Sequence, residues 1–221
     1  MEFARARSEE QREVRRQVIL ETAAGMLAEM PVAELSLNEL SRRVGLAKSN
    51  VLRYFESRED VLLQLLDRAA RLWLADVLEE LPRTVRAGRS AKRRGDQLAE
   101  VLSTTLRRHT VLCDLISAQP AVLEHNVSAD VVLRFKQAGY DGLELLAAEV
   151  RRHVPELGAE AGRICLLALV LAGAFWSYSC LSPATIEAYA RDPRLSEFSI
   201  DLGPALEQTL ATLIAGTLAR G

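Results

Sequence analysis

The chain has 221 residues, 49% of them apolar and 5% aromatic, with a formal net charge of −2. That length accommodates one large domain or a small domain joined to a larger one, with enough apolar material for a substantial core. The near-neutral balance excludes a uniformly basic protein, but a binding face needs only local positive charge. Leu, Ala, Arg and Glu dominate, and aromatic and β-branched residues are sparse. Such a composition favours helix over strand throughout.

Residues 10–30 carry helical periodicity: Val14, Val18, Ile19, Thr22, Ala23, Met26, Leu27 and Met30 fall on one stripe. Pro31 is expected to end this helix. Next, Ser36 and Glu39 stand three apart in a capping-box pattern. Leu37, Leu40 and Val44 form the inward face of a second helix, and Gly45 suits its end, because a left-handed backbone costs glycine nothing. A third helical pattern resumes at Ala47. Val51 and Phe55 point inward, which leaves Lys48, Ser49, Asn50 and Arg53 facing out. Ser57 with Asp60 resembles another cap, ahead of a long helix through Glu80 with Val61, Leu62, Leu65, Leu66, Leu72 and Trp73 as its apolar positions.

Pro82 is expected to break that helix. The run RTVRAGRSAKRRG at 83–95 contains basic groups and no acid. It reads as a solvated connection, with a DNA contact by these basic groups as the alternative. From 96 to 221 helices are expected at 96–109, before Pro120, at 128–153, at 160–181 and from Pro204 onward, with a loop region at 190–203. The segment 164–184 has no charged residue, but its strongly apolar part stops near Trp176. A spanning helix needs roughly 20 largely apolar residues, so a buried helix of a protein free of the membrane is expected. Cys113, Cys165 and Cys180 form an odd set without paired-thiol spacing. They read as reduced thiols of a cytoplasmic protein. The charged N-terminus has no apolar stretch behind it, unlike a secretory signal.

A capped helix, a glycine turn and a short helix with a polar, basic outer face make the layout of a helix-turn-helix, whose second helix enters the major groove. Lys48 has the chemistry to donate to guanine acceptors or phosphates, and Asn50 to pair with an adenine edge. Ser49 and Ser36 suit phosphate oxygens, and Arg53 and Arg58 add counter-charge. Solvent exposure alone is the other reading of each of these residues. The histidines His109, His125 and His153 are scattered, without the spacing of a helix-borne metal site, and no cofactor is expected. No nucleophile elbow, Gly-rich phosphate loop or H-E-x-x-H motif points to an enzyme. A helical protein-interaction module without DNA binding is the alternative function.

Residues 14–66 resemble the N-terminal domain of the TetR family of bacterial transcriptional repressors. The resemblance is carried by Ile19, Leu20, Ala23 and Ala24, by LSLNEL at 35–40, by VGLAKSNVLRYF at 44–55 and by SREDVLLQLL at 57–66. Leu52 stands where many members have tyrosine, Ser41 where a small alanine is frequent, and Arg58 where lysine is usual. The resemblance implies an all-α protein: a three-helix DNA-binding domain at 1–57 and a helical ligand-binding and dimerisation bundle at 58–221. It implies that Lys48, Ser49, Asn50 and Arg53 face bases or nearby phosphates, that Ser36 and Asn38 lie near the DNA backbone, and that Tyr54 and Arg58 hold phosphates. It further implies a double-stranded operator, a homodimer and a small-molecule effector. The apolar helices 160–181 and 204–219 are the expected dimer interface, with internal packing as the other use of their small residues. Trp73, His109, Cys113, Phe135, Tyr140, Trp176 and Tyr178 are the expected lining of an effector cavity.

Overall fold

A computed structural model describes the backbone of residues 2–220 and the side chains from Glu9 onward. Among the described residues every regular element is helical: α1 Glu2–Leu27, α2 Leu37–Val44, α3 Lys48–Val51, α4 Arg58–Thr84, α5 Ala91–Arg108, α6 Thr110–Ala118, α7 Ala129–His153, α8 Glu160–Ser179, α9 Pro183–Arg191 and α10 Leu202–Leu218. The chain divides into two compact units. The first comprises residues 1–68 and 118–136, the second 69–117 and 137–221. Helices α4 and α7 each contribute residues to both.

In the first unit the core is built from Ile19, Ala23 and Met26 of α1, Leu40 of α2, Val51 and Phe55 at α3, and Val61, Leu62, Leu65 and Leu66 of α4, all buried. The inward stripe of α1 is narrower than expected. Val14 and Val18 are 60% and 47% exposed, and the buried set starts at Ile19. Helical hydrogen bonding stops at Leu27, ahead of Pro31, in a turn closed by Met30 N–H on the Met26 carbonyl at 2.9 Å.

Helix α2 begins as its sequence dictates: Ser36 Oγ accepts from the Glu39 amide at 3.1 Å. It ends at Gly45, whose φ of 73° is left-handed, with Leu46 N–H returning to the Ser41 carbonyl at 3.0 Å. A Cβ at Gly45 would meet nothing within 4 Å. Any cost of substitution is therefore conformational, about 1–2 kcal/mol for an L-residue in this backbone region. Urea unfolding of Gly45→Ala should show a loss of that size, and an unchanged midpoint would contradict the assigned turn.

In the second unit α10 packs on α5 and α8. Gly95 lies against Ile214, where an added Cβ would stand 2.7 Å from Ile214 Cγ2. Gly173 of α8 meets Ile116 of α6 equally closely. Helix α8 buries Ala161, Ile164, Cys165, Ala168, Ala172 and Gly173. By length and composition alone it could cross a bilayer, yet this stripe is packed on its neighbours. Ala172 and Gly173, expected at a dimer interface, are thus committed to internal packing, whereas Leu166, Val170 and Tyr178 remain about half exposed or more.

Several boundaries differ from expectation for identifiable reasons. Helix α4 runs through Pro82 to Thr84, so the proline sits inside the last turn and does not break the helix. Its buried positions in the second unit are Trp73, Val77 and Leu81, a four-residue repeat, and Leu72, about 100° away, is 58% exposed. The basic run is only in part a connection. Ser90 Oγ accepts from the Arg93 amide and starts α5 at Ala91. Arg94 is buried, bonded to the Arg89 carbonyl and the Glu156 carboxylate. Pro120 does not end the helical path after α6, which continues as a π-helical turn over Gln119–Leu123. Helix α9, unforeseen, is started by Ser182 Oγ on the Thr185 amide with Pro183 in the first turn.

Candidate nucleic-acid interface

The α2–α3 pair presents one polar surface from a hydrophobic base. Val51 is fully buried and Phe55 is 2% exposed, so the four-residue repeat that faces the core fixes the rotation of α3. Lys48, Ser49, Asn50 and Arg53 then stand in solvent together, with Tyr54 half-buried at the edge. Lys48 and Arg53 make no ion pair among the described residues. Leu52 is 41% exposed. Ser36 and Asn38 are exposed at the start of α2, where Ser36 still has its hydroxyl proton to give.

Behind this surface, charges are tied down. Glu39 accepts from Arg42 at 2.9 and 2.6 Å and from Arg43 at 3.0 Å, and Arg43 also reaches Glu29 at 2.6 Å. The Glu39 carboxylate therefore does not reach back to complete the capping box. Its hydrogen bonds from the two guanidinium groups hold its pKa down, from 4.5 to about 2. The folded value lies below the unfolded one, so this stabilisation is present above about pH 4.5 and is lost as pH falls toward 2. Glu39→Gln should accordingly lower the melting temperature modestly at neutral pH, with the gap to wild type closing in acid. A gap independent of pH would refute the linkage.

Arg58 departs from its expected role. Its guanidinium donates to the Leu35 and Val32 carbonyls and to Glu59, stapling the α1–α2 connection to the start of α4. This is a correction to the phosphate contact expected of it, because the donors face inward and the side chain is largely covered. Arg16 lies 5.3 Å from the Phe55 ring centroid and donates to Gln64. The exit of α3 is secured by Glu56, whose amide donates to Asp60 Oδ2 at 2.9 Å. The Glu56 carboxylate accepts from the Ser128 amide at 3.0 Å and hydroxyl at 2.9 Å. These bonds hold the Glu56 pKa below the ordinary carboxylate value. Ser128 in turn caps α7 through the Val131 amide.

The residues expected around an effector do not all converge. Four make hydrogen bonds within the second unit, each to a different partner. Trp73 Nε1 donates to Thr105 Oγ1 at 3.0 Å, His109 Nε2 is 2.8 Å from Asp76 Oδ2, and Trp176 Nε1 donates to Asp114 Oδ1 at 3.1 Å. Cys113 is buried, its thiol pushed up to about 12 by that burial and by Asp114. Tyr140 and Tyr178 are 64% and 63% exposed, and Phe135 belongs to the first unit. Exposed Tyr140 and Tyr178 thus stand in different surroundings from buried Trp73. A cavity of about 390 Å³ near Glu156, Arg163, Leu213 and Arg220 contains none of the seven. Among the described residues no three His, Cys, Asp or Glu side chains gather as a metal site would require.

A buried three-helix base, a left-handed glycine turn and an exposed Lys-Ser-Asn-Arg face define a helix-turn-helix DNA-binding protein. Residues 19–65 match the family described as bacterial regulatory proteins, tetR family, and residues 67–221 match the tetracyclin repressor-like C-terminal domain. The chain belongs to the TetR family, whose members are DNA-binding transcriptional regulators. It is 42% identical over 50 residues to the HTH-type transcriptional regulator EthR of Mycobacterium tuberculosis and of Mycobacterium bovis. That alignment spans 23% of this chain and 23% of the length of those curated relatives. The fold resembles FadR from Bacillus subtilis, solved with stearoyl-CoA, at a TM-score of 0.54 and 14% identity, covering 91% of this chain and 98% of that one. It also resembles a tetR family regulator from Shewanella sp. PV-4, at a TM-score of 0.51 and 16% identity, covering 90% and 95% of the two chains.

Proposed function

We propose that this protein is a cytoplasmic repressor that binds a palindromic operator as a homodimer and is released by a small-molecule effector. The observation that carries this reading is the exposed row of Lys48, Ser49 and Asn50 on α3 and Arg53 on the turn that follows, above a buried base of Val51 and Phe55. Lys48 and Asn50 meet base edges. Ser49, Arg53 and Tyr54 contact bases or adjoining phosphates, and Ser36 and Asn38 position α2 on the backbone. Residues 1–57 serve as the reading domain and 58–221 as the sensing and dimerising domain.

A helix this short reads few base pairs, so useful affinity requires two copies spaced about 34–36 Å along the duplex. The half-exposed apolar stripe Leu166, Val170 and Tyr178 on α8, at four- and eight-residue intervals, supports pairing of two copies through α8 and α10. The effector is taken by the α4–α5–α6–α8 region around Trp73, His109, Cys113 and Trp176, which combines aromatic surface with a few polar groups. An effector that favours one dimer geometry by about 1–3 kcal/mol weakens operator binding by roughly 5- to 150-fold.

Selection of bound fragments from the genome of the source organism tests the reading. Recovery of one palindromic motif, with half-sites one helical turn apart, is the expected result. Fragments without a common motif, retained equally at all salt concentrations, would sink it.

A further inference from the structure

The cations near α3 differ in whether their own chain engages them. Arg42 and Arg43 are paired with acids, Arg58 is bonded inward, and Arg16 is held by Gln64 and Phe55. Arg12 and Arg15, on an exposed stretch of α1, make no ion pair with any described residue. Both line a single open cleft with Arg53 and Tyr54, about 880 Å³ in volume. Glu10 is the one carboxylate in that lining, and Gln11 and Val14 complete it. The lining thus combines three guanidinium groups with one acid in a chain whose total charge is −2. Arg12 is also registered to α3: its Nη2 donates to the Arg53 carbonyl at 3.3 Å, which leaves its other N–H groups for a ligand.

We propose that Arg12 and Arg15 clamp DNA phosphates flanking the base pairs read by α3, with Arg53 and Tyr54 on the opposite wall of the cleft. The assignment rests on the DNA-reading function above and extends the footprint beyond the segment Ser36–Tyr54. The chemistry fits a phosphodiester. Guanidinium forks match its oxygens, the cleft is open as a backbone track must be, and no base-reading geometry is required. The contacts are indifferent to sequence, and each carries a counterion-release signature.

The test uses the full chain, with Arg12→Gln/Arg15→Gln and Arg12→Lys/Arg15→Lys as paired variants. Affinity is measured for the selected palindrome and for a scrambled duplex across a series of salt concentrations. For the glutamine pair the slope of log affinity against log salt should become shallower by about 2 per protomer, at ~0.9 per lost phosphate contact. The ratio of affinities for palindrome and scramble should stay as in wild type. The lysine pair should recover the slope. Melting temperatures near wild type are expected for both, because both side chains are exposed. A glutamine pair with an unchanged slope, or a lysine pair as defective as the glutamine pair, overturns the clamp while leaving the reading helix standing. A wild-type chain that selects no duplex overturns both.

Discussion

Replacing Phe55 with alanine is expected to remove about 3–5 kcal/mol of stability, the usual cost of deleting a buried aromatic side chain. Phe55 is 2% exposed, closes the three-helix base beneath α3 and lies under the Arg16 guanidinium. The cavity would open where the rotation of α3 is fixed, so operator binding should disappear along with the lowest unfolding transition. Leu52, three residues earlier and 41% exposed, supplies the control. Leu52→Ala should shift stability by no more than about 0.5 kcal/mol. Hydrogen exchange along α1 to α3 would report the difference directly. Equal protection in the two variants would show that α3 does not depend on this base.

The second large effect concerns recognition and leaves the fold intact. Lys48→Ala together with Asn50→Ala removes two exposed side chains and no core contact. Each well-made base contact is worth about 1–3 kcal/mol of discrimination, so the double variant should lose roughly 30- to 10⁴-fold in preference for the selected palindrome over a scrambled duplex. Residual affinity should persist and remain salt-sensitive, because phosphate contacts are retained. Competition binding at fixed ionic strength measures this. A preference ratio equal to wild type would remove these two residues from base reading.

Local signals were the most legible in the sequence. Ser36 at the start of α2, Gly45 at its end and the Val51/Phe55 spacing each follow from short-range backbone chemistry, and each stands where expected. What could not be read were choices made by distant partners. Nothing within residues 57–60 indicates that Arg58 turns to the Leu35 and Val32 carbonyls more than twenty positions earlier. Likewise, nothing in the basic run marks Arg94 as the member that pairs with Glu156. Arg12 and Arg15 lie some forty positions from Tyr54, and only the folded arrangement brings the three to one cleft. Proline is a weaker stop near the end of a helical path than in its middle. Pro82 and Pro120 fall where the path has few turns left to lose, and both are absorbed. In the effector region residue type alone does not tell an exposed Tyr140 from a buried Trp73.

The bracing of Arg42 and Arg43 by Glu39 and Glu29 has a consequence for how the protein would search a genome. Two cations already paired within their own chain gain less from a passing polyanion, so this face adds less grip on random duplex than its count of arginines suggests. Freeing those arginines by removing the two acids would produce a stickier and less discerning molecule, slower to leave the wrong address.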